Sequence, residues 1–162
     1  MTKKQLALEV IDRLKKEYPD AGCTLDYDEA WKLLVSVRLA AQCTDARVNV
    51  VVAGLFEKYP SVAALAGADV DDIEKIVHPC GLGKSKAKDI SACMKMLHEQ
   101  FNDRVPDDFD LLVKLPGVGR KSANLIMSII LPSTFSIIFH HLIIVPVPHP
   151  KYGRGNSPVL IQ

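Results

Sequence analysis

The sequence of 162 residues lacks any segment that would place the chain across a membrane. A membrane-spanning helix needs about 20 consecutive apolar residues, and no run of that length occurs. The N-terminal stretch has neither a long apolar core nor a cleavage site, so no signal peptide is predicted. We therefore expect a cytoplasmic protein with no membrane partner.

Cysteine is scarce, and Cys23, Cys43, Cys80 and Cys93 are the complete set. Their spacings of 20, 37 and 13 residues fit no zinc or iron–sulfur pattern. Such residues in a reducing compartment are expected to be free thiols, most of them buried. No metal or other cofactor is predicted from them.

Acidic residues are absent from the last third of the chain. Residues 1–110 hold all 19 Asp and Glu residues, whereas residues 111–162 hold five Lys or Arg residues and no acid. The formal net charge of the whole chain is only +1, so the uneven placement is more informative than the total. An anionic partner should prefer the second part of the chain.

Short helices with clear start signals account for the first 130 residues, and no convincing strand occurs among them. Helix-capping residues stand at Thr2, Asp28, Thr44 and Ser61, each before a helical segment. Later helices are predicted over "DVDDIEKIV", "PDDFDLLVKL" and "RKSANLIMSII". A separate "GLGKSKA" segment precedes a long helix over "KDISACMKMLHEQF". The predicted fold class is all-α, with roughly eight helices.

The last 32 residues, 131–162, differ in character from the rest of the chain. They contain five of the ten prolines, and an apolar block over 137–145 is interrupted only by His140 and His141. The block is strand-like in composition, and no helix cap or helical period accompanies it. We interpret 131–162 as a disordered or non-native tail and not as a second domain.

The motif "LPGVGRK" at 115–121 has a physical meaning of its own. Pro116 fixes φ, while Gly117 and Gly119 permit positive φ, so the turn can direct backbone N–H groups outward. These groups would lie at a helix N-terminus beside Arg120 and Lys121, which predicts a main-chain site for phosphate. Such a site suits nucleic acid of any sequence. A plain corner between two helices is the alternative.

The same residues carry a resemblance to a known family. "LPGVGRKSAN" resembles the helix–hairpin–helix of the endonuclease III family. "LLVSVRLAAQCTDARVN" (33–49), "GLGKSKAKDI" (81–90) and the run over 105–124 are similar to further segments of that family. The resemblance extends from residue 1 to about residue 130. It implies a six-helix barrel with a helix–hairpin–helix, and base-excision repair by a DNA glycosylase with abasic-site lyase activity. The implied partner is double-stranded DNA with damaged bases or abasic sites, met by a monomer in the cytoplasm or, in a bacterium, at the nucleoid.

The resemblance also implies roles for individual residues. Lys121 would be the catalytic nucleophile that attacks the sugar C1′, where similar adenine-specific glycosylases carry a serine. The reaction needs a neutral amine, which the helix N-terminus and burial would both favour. A phosphate-contacting lysine is the alternative at this position.

DNA contacts are implied at two further places. Gln42 and Leu82 would fill the space left by a flipped nucleotide, although each alone is compatible with an ordinary loop or core residue. The hairpin would bind the DNA backbone, and the residues involved are Leu115, Gly117, Val118, Gly119 and Arg120. Lys84, Lys86 and Lys88 would either meet the DNA backbone or form a solvated face.

Two parts of the family pattern are missing after the hairpin. No Asp or Glu follows Asp110, although the family places a catalytic aspartate in a "V-D-T-H" segment. No cysteine follows Cys93, although the family ends in four cysteines that hold a [4Fe–4S] cluster, so no cofactor is expected in this chain. We expect impaired base excision, and we interpret 131–162 as the product of a frameshift or truncation, which the nucleotide sequence would test. A non-catalytic DNA-binding helix–hairpin–helix module is the alternative function.

These expectations divide the chain into three parts. Residues 1–22 would be an N-terminal helix without its second-domain partners, 23–130 the barrel, and 131–162 the tail. The apolar face of the first helix, formed by Leu6, Val10 and Leu14, should then be exposed. A fold of marginal stability follows from that exposure.

Overall fold

The computed structural model describes residues 2–20, 22–130, 138–139 and 142–143, and most of these residues lie in eight α-helices and one 3₁₀ turn. The helices are α1 (Lys3–Glu17), α2 (Ala30–Ala40), α3 (Asp45–Lys58), α4 (Val62–Ala66), α5 (Val70–Val77), α6 (Gly83–Phe101), α7 (Phe109–Leu112) and α8 (Arg120–Ile130). The 3₁₀ turn His78–Cys80 lies directly before α6. The all-α fold class predicted from the sequence is confirmed.

Two of the four predicted capping residues, Thr2 and Ser61, accept the backbone N–H bonds that polar chemistry predicts. Thr44 occupies the N-cap position of α3, but its side chain forms no capping hydrogen bond. Thr2 and Gln5 form a reciprocal capping box at the start of α1, with N···O distances of 3.2 and 2.8 Å. Ser61 Oγ accepts the N–H of Ala64 at 3.1 Å and so caps α4. The prediction that Asp28 caps α2 was wrong, because Asp28 instead pairs with Lys32 at 2.8 Å and Glu29 occupies the cap position.

Helix α6 corrects a predicted boundary. The "GLGKSKA" segment is not separate, since the helix begins at Gly83 and runs without a break for 19 residues. One apolar stripe joins the two predicted pieces, and its members Ala87, Ile90, Met94 and Leu97 are all buried. Spacings of three and four residues continue through the predicted break, and a continuous stripe favours a single helix.

The core lies where α6 packs against α4, α5 and α2, and α8 also packs against α2. Its fully buried side chains come from most of the helices, and the large ones include Leu33, Leu39, Leu55, Leu65, Ile73, Met94, Leu97, Leu112, Leu115 and Ile126. Trp31 and Phe56 meet edge to face with their ring centres 5.3 Å apart. This packing fixes the loops at the ends of α2, α6 and α8, which carry the predicted site residues.

Helix α1 buries little of itself. Ile11 is its one buried residue among those described, while Leu6 and Val10 are exposed and Leu14 is half-buried. An apolar face of this kind on the surface supplies little stabilisation from burial.

Residues 131–162 fall outside the described part of the chain except for two short strands. Strand β1 (Ile138–Phe139) pairs antiparallel with β2 (Leu142–Ile143), in the register Ile138 to Ile143. The apolar block therefore pairs within itself at these four residues. Within the described ranges, no helix is long and apolar enough to span a bilayer.

Candidate nucleic-acid interface

A tight turn joins α7 to α8 and presents the start of α8 to solvent. The N–H of Val118 donates to the carbonyl of Leu115 at 3.1 Å, and Gly117 takes a φ of 75° to close the turn. Helix α8 then starts with the N–H of Ala123 donating to the carbonyl of Gly119 at 2.9 Å. Gly117 thus has the positive φ that the motif permits, whereas Gly119 does not use this freedom.

The N-terminus of α8 has the free donors of an anion site. Among the described residues, no acceptor is found for the N–H groups of Gly119, Arg120 and Lys121. All three residues are exposed, and the positive end of the helix dipole lies with them. A phosphate could accept these hydrogen bonds without any contact to a base.

The side chains of the predicted interface residues divide into two groups. Leu115 is buried in the core, so its side chain anchors the turn and does not face a partner. Val118 is half-buried, whereas Gly117, Gly119 and Arg120 are exposed. The guanidinium of Arg120 lies 5.7 Å from the ring centre of Phe109, a cation–π contact that holds it beside the turn.

An ion pair packs against the turn, and it was not predicted from the sequence. Arg38 of α2 contacts Asp89 of α6 through Nε at 2.8 Å and through a second nitrogen at 2.6 Å. A Cβ on Gly117 would lie 2.9 Å from Arg38 Cδ and 2.9 Å from Asp89 Cβ. The turn therefore rests directly on the pair. Arg38 and Asp89 are 51 residues apart in the sequence, so no local pattern predicts their contact.

The predicted nucleophile, Lys121, lies in the first turn of α8 and is exposed. The sequence analysis expected both the helix N-terminus and burial to favour a neutral amine. The structure places the amine at the helix N-terminus, and the described residues do not bury it. An accessible amine beside an anion site is an arrangement that can attack an electrophilic carbon of a bound phosphodiester chain.

Gln42 and Leu82 share an unusual backbone conformation. Their φ angles are 59° and 51°, in the left-handed region that residues with a Cβ seldom adopt. Both side chains are exposed, and Leu82 is 61% accessible despite being a large apolar residue. A left-handed non-glycine residue costs on the order of 1 kcal/mol, and such strain is concentrated at functional sites. Two exposed side chains are thus held outward at a cost in stability.

The three lysines at 84, 86 and 88 do not share one environment. The segment as a whole is therefore neither a set of DNA-contacting lysines nor a solvated face. Lys84 and Lys88 are exposed, but Lys86 is completely buried. The Lys86 ammonium donates to the carbonyl oxygens of Leu39 and Cys80, both at 2.8 Å. Burial lowers the pKa of this amine. Both alternatives offered by the sequence were wrong for Lys86, because helical spacing turns every third or fourth residue inward.

The cysteines are not arranged to hold a metal cluster. Cys80 and Cys93 are buried, and Cys23 and Cys43 are half-buried. Burial, followed by the hydrogen bond with the Cys43 thiol, raises the pKa of Cys80 to about 11, and burial raises the pKa of Cys93 to about 12. The described residues contain no group of three or more His, Cys, Asp or Glu side chains that would bind a metal ion. These thiols do not fit an iron–sulfur cluster, which needs four convergent thiolates.

These shifts predict slow alkylation of Cys80 and Cys93. At pH 8 a thiol with a pKa of about 11 is ionised in about one molecule in 1,000, and only the thiolate reacts. We expect iodoacetamide to label both residues at least about tenfold more slowly in the folded chain than in urea. Peptide mass spectrometry over time measures both rates, and equal rates would contradict the burial described above.

The chain is similar in sequence to a known family and to several of its members. Residues 35–152 match the family described as HhH-GPD superfamily base excision DNA repair protein. The chain is 45% identical to endonuclease III of Synechocystis over 127 residues and 40% identical to that of Bacillus subtilis over 119 residues. These matches take in 78% and 74% of this chain but only 58% and 54% of the relatives.

A third relative is matched over more of its length. The endonuclease III of Rickettsia felis is 34% identical over 158 residues, which are 98% of this chain and 74% of the relative. This match and the family match both extend beyond Ile130, where the sequence analysis ended the resemblance.

Solved structures agree with the sequence comparisons. A non-covalent endonuclease III–DNA complex superposes with a TM-score of 0.71 at 41% identity, over 79% of this chain and 60% of the other. A trapped endonuclease III–DNA covalent intermediate gives the same values. A thermostable thymine-DNA glycosylase, 16% identical, shares the fold with a TM-score of 0.68 over 77% of this chain and 59% of that one.

Proposed function

The chain belongs to the HhH-GPD superfamily of base excision DNA repair proteins, and on this premise we propose that it acts as an endonuclease III-like DNA glycosylase with abasic-site lyase chemistry. The proposed substrate is double-stranded DNA that contains a damaged base or an abasic site. The observation that carries the proposal is the accessible Lys121 amine at the N-terminus of α8, directly after the turn.

The turn and the start of α8 would hold one strand by its phosphates. The free N–H groups of Gly119 and Arg120 offer hydrogen bonds to a phosphate, and the exposed Lys84 and Lys88 add positive charge. Binding of this kind carries no sequence preference, which suits a search for rare lesions. It also falls steeply with salt, because each neutralised phosphate releases counterions.

Gln42 and Leu82 would occupy the gap in the base stack. A nucleotide turned out of the duplex leaves its partner base unstacked, at a cost of a few kcal/mol. Two outward-held side chains can offset part of that cost by filling the vacated space. Their exposed, left-handed conformation supports this role.

Lys121 would carry the chemistry. At a damaged nucleotide its neutral Nζ attacks C1′, the N-glycosidic bond breaks, and the base leaves with the electron pair and takes up a proton. At an abasic site the amine condenses with the ring-opened aldehyde, and water is released as the imine forms. Loss of a C2′ proton then expels the 3′ phosphate and cuts the strand. Because residues 111–162 contain no Asp or Glu that could stabilise a sugar cation, we propose that base excision is the weaker of the two activities.

Borohydride trapping tests the proposal. The purified chain is mixed with a duplex that contains one abasic site, and borohydride reduces any imine to a stable amine. A covalent complex on this duplex, and none on the matched undamaged duplex, is the expected result. Salt-dependent duplex binding without a covalent complex would overturn the catalytic proposal and favour the non-catalytic DNA-binding module.

A substitution at Leu82 should separate stability from function. Leu82→Gly removes the left-handed strain, and little buried surface is lost because the side chain is mostly exposed. The melting temperature should therefore rise by a few degrees, equivalent to about 1 kcal/mol. Affinity for an abasic duplex should nevertheless fall by about tenfold, because the filling side chain is gone.

Asn102→Gly is the matched control for this substitution. Asn102 has a φ of 50° at the opposite end of α6, roughly 28 Å along the helix from Leu82. The control should leave the affinity for abasic duplex unchanged. Loss of affinity in both variants would assign the effect to α6 in general and not to Leu82.

A further inference from the structure

We propose that Lys86 is a positioning residue that holds the loops of Gln42 and Leu82 at the fixed separation needed to fill a disrupted base stack. This inference rests on the proposed function and adds to it a residue that touches neither DNA nor the reacting atoms. The two loops come from different parts of the chain, and the buried Lys86 side chain bonds to both.

The contacts of Lys86 lie just before the two loops. Leu39, whose carbonyl accepts one bond, is in the last turn of α2, three residues before Gln42. Cys80, whose carbonyl accepts the other, is in the 3₁₀ turn, two residues before Leu82. One nitrogen lies 2.8 Å from both oxygens, so the ends of the two elements cannot separate without breaking a buried hydrogen bond.

The cysteines near Lys86 also support a connection between the loops of Gln42 and Leu82. The Cys43 thiol lies near enough to Cys80 to help raise the pKa of that residue, and each cysteine adjoins or nearly adjoins one of the outward-held residues. The two loops therefore lie close together. No ion pair joins the buried ammonium to a carboxylate in the described part of the chain, and the like charge of Arg38 adds to the effect of burial in lowering the pKa of Lys86.

A buried cation without a counterion is a poor source of stability. Ionic groups inside proteins can often be replaced by apolar groups of similar volume at little cost, and in some proteins they instead select one structural arrangement over another. Burial of Lys86 is hence better explained by the geometry it imposes on two strained loops than by the stability it supplies. The proposal predicts that stability and lesion discrimination respond differently when the ammonium is removed.

The decisive experiment compares Lys86→Met with the wild-type chain on two duplexes. One duplex contains a tetrahydrofuran abasic analogue opposite 2-aminopurine, and the other is undamaged. Wild type should prefer the abasic duplex and raise the 2-aminopurine fluorescence as the opposite base is unstacked. In Lys86→Met the preference should fall by at least about tenfold and the fluorescence rise should disappear, while binding to undamaged duplex stays within about twofold.

Ile90→Val is the control for a general loss of stability. Ile90 is buried one turn further along α6, and the change removes one methyl group without touching either carbonyl. This variant should keep both the preference and the fluorescence rise. If Lys86→Met behaves like Ile90→Val, the inference is overturned.

A second variant covers the case in which Lys86→Met does not fold. Lys86→Gln retains a shorter donor that can reach one carbonyl, so it should show a partial loss of preference; full preference would overturn the inference. Failure of the proposed function looks different, since the wild-type chain would then show no preference for the abasic duplex. That result would remove the basis of the inference together with the function.

Discussion

Lys121→Ala is expected to lower covalent trapping on an abasic duplex by at least about 1,000-fold. In the proposed mechanism the imine forms at the Lys121 amine, and the methyl group of alanine cannot act as a nucleophile. The side chain is exposed, so its truncation removes no buried contact and should leave the melting temperature within about 1 °C. Duplex affinity should fall by no more than a few-fold, since the main-chain donors of the turn remain. Gel electrophoresis after borohydride reduction and fluorescence anisotropy measure the two effects.

Lys114→Ala is the matched control for this prediction. Lys114 is also exposed and comes directly before Leu115, the first residue of the same turn, so its loss removes the same charge close to the turn in the sequence. Trapping should be retained in this variant. Equal trapping by Lys121→Ala and the wild-type chain would assign the imine to another amine and would overturn the role proposed for Lys121.

Among substitutions that add one methyl group to the interface, Gly117→Ala is expected to lower stability and duplex affinity the most. The residue has a φ of 75°, and its new Cβ would lie 2.9 Å from atoms of both Arg38 and Asp89. Left-handed strain of about 1–2 kcal/mol adds to overpacking of about 1–3 kcal/mol, and the turn must shift to relieve either. Because the shifted turn no longer directs its N–H groups together, duplex affinity should fall at least about tenfold. Chemical denaturation and anisotropy test both parts.

Gly54→Ala provides the opposite case. Gly54 lies inside α3, and a Cβ there meets nothing within 4 Å. Alanine in a helix interior should raise stability by about 0.5–1 kcal/mol without any effect on DNA binding. If Gly117→Ala is tolerated as well as Gly54→Ala, the turn does not depend on its contact with the ion pair.

The sequence predicted features that depend on local chemistry. Thr2 and Ser61 cap their helices because a short polar side chain reaches its own backbone, whatever the rest of the fold does. The turn at Gly117 was equally predictable, since positive φ is a property of that residue in its local context. The quoted motifs also indicated the family that the sequence comparisons confirm.

Features that depend on distant contacts were missed. The burial of Lys86 requires the ends of α2 and of the 3₁₀ turn to meet, and a lysine between two exposed lysines gives no sign of that. The Arg38–Asp89 pair likewise joins helices far apart in the sequence. Asp28 was misassigned because an acid before a helix can either cap it or pair with a lysine one turn later.

The two left-handed side chains have a consequence for any attempt to improve this protein. A selection that rewards heat resistance alone would favour glycine at Gln42 and Leu82, because each strained residue lowers the melting point. With the role proposed for these two side chains, variants obtained in that way would be more robust and less able to recognise a lesion. Screens on this fold should therefore score damaged-duplex recognition in every round, so that robustness is gained from positions such as Gly54.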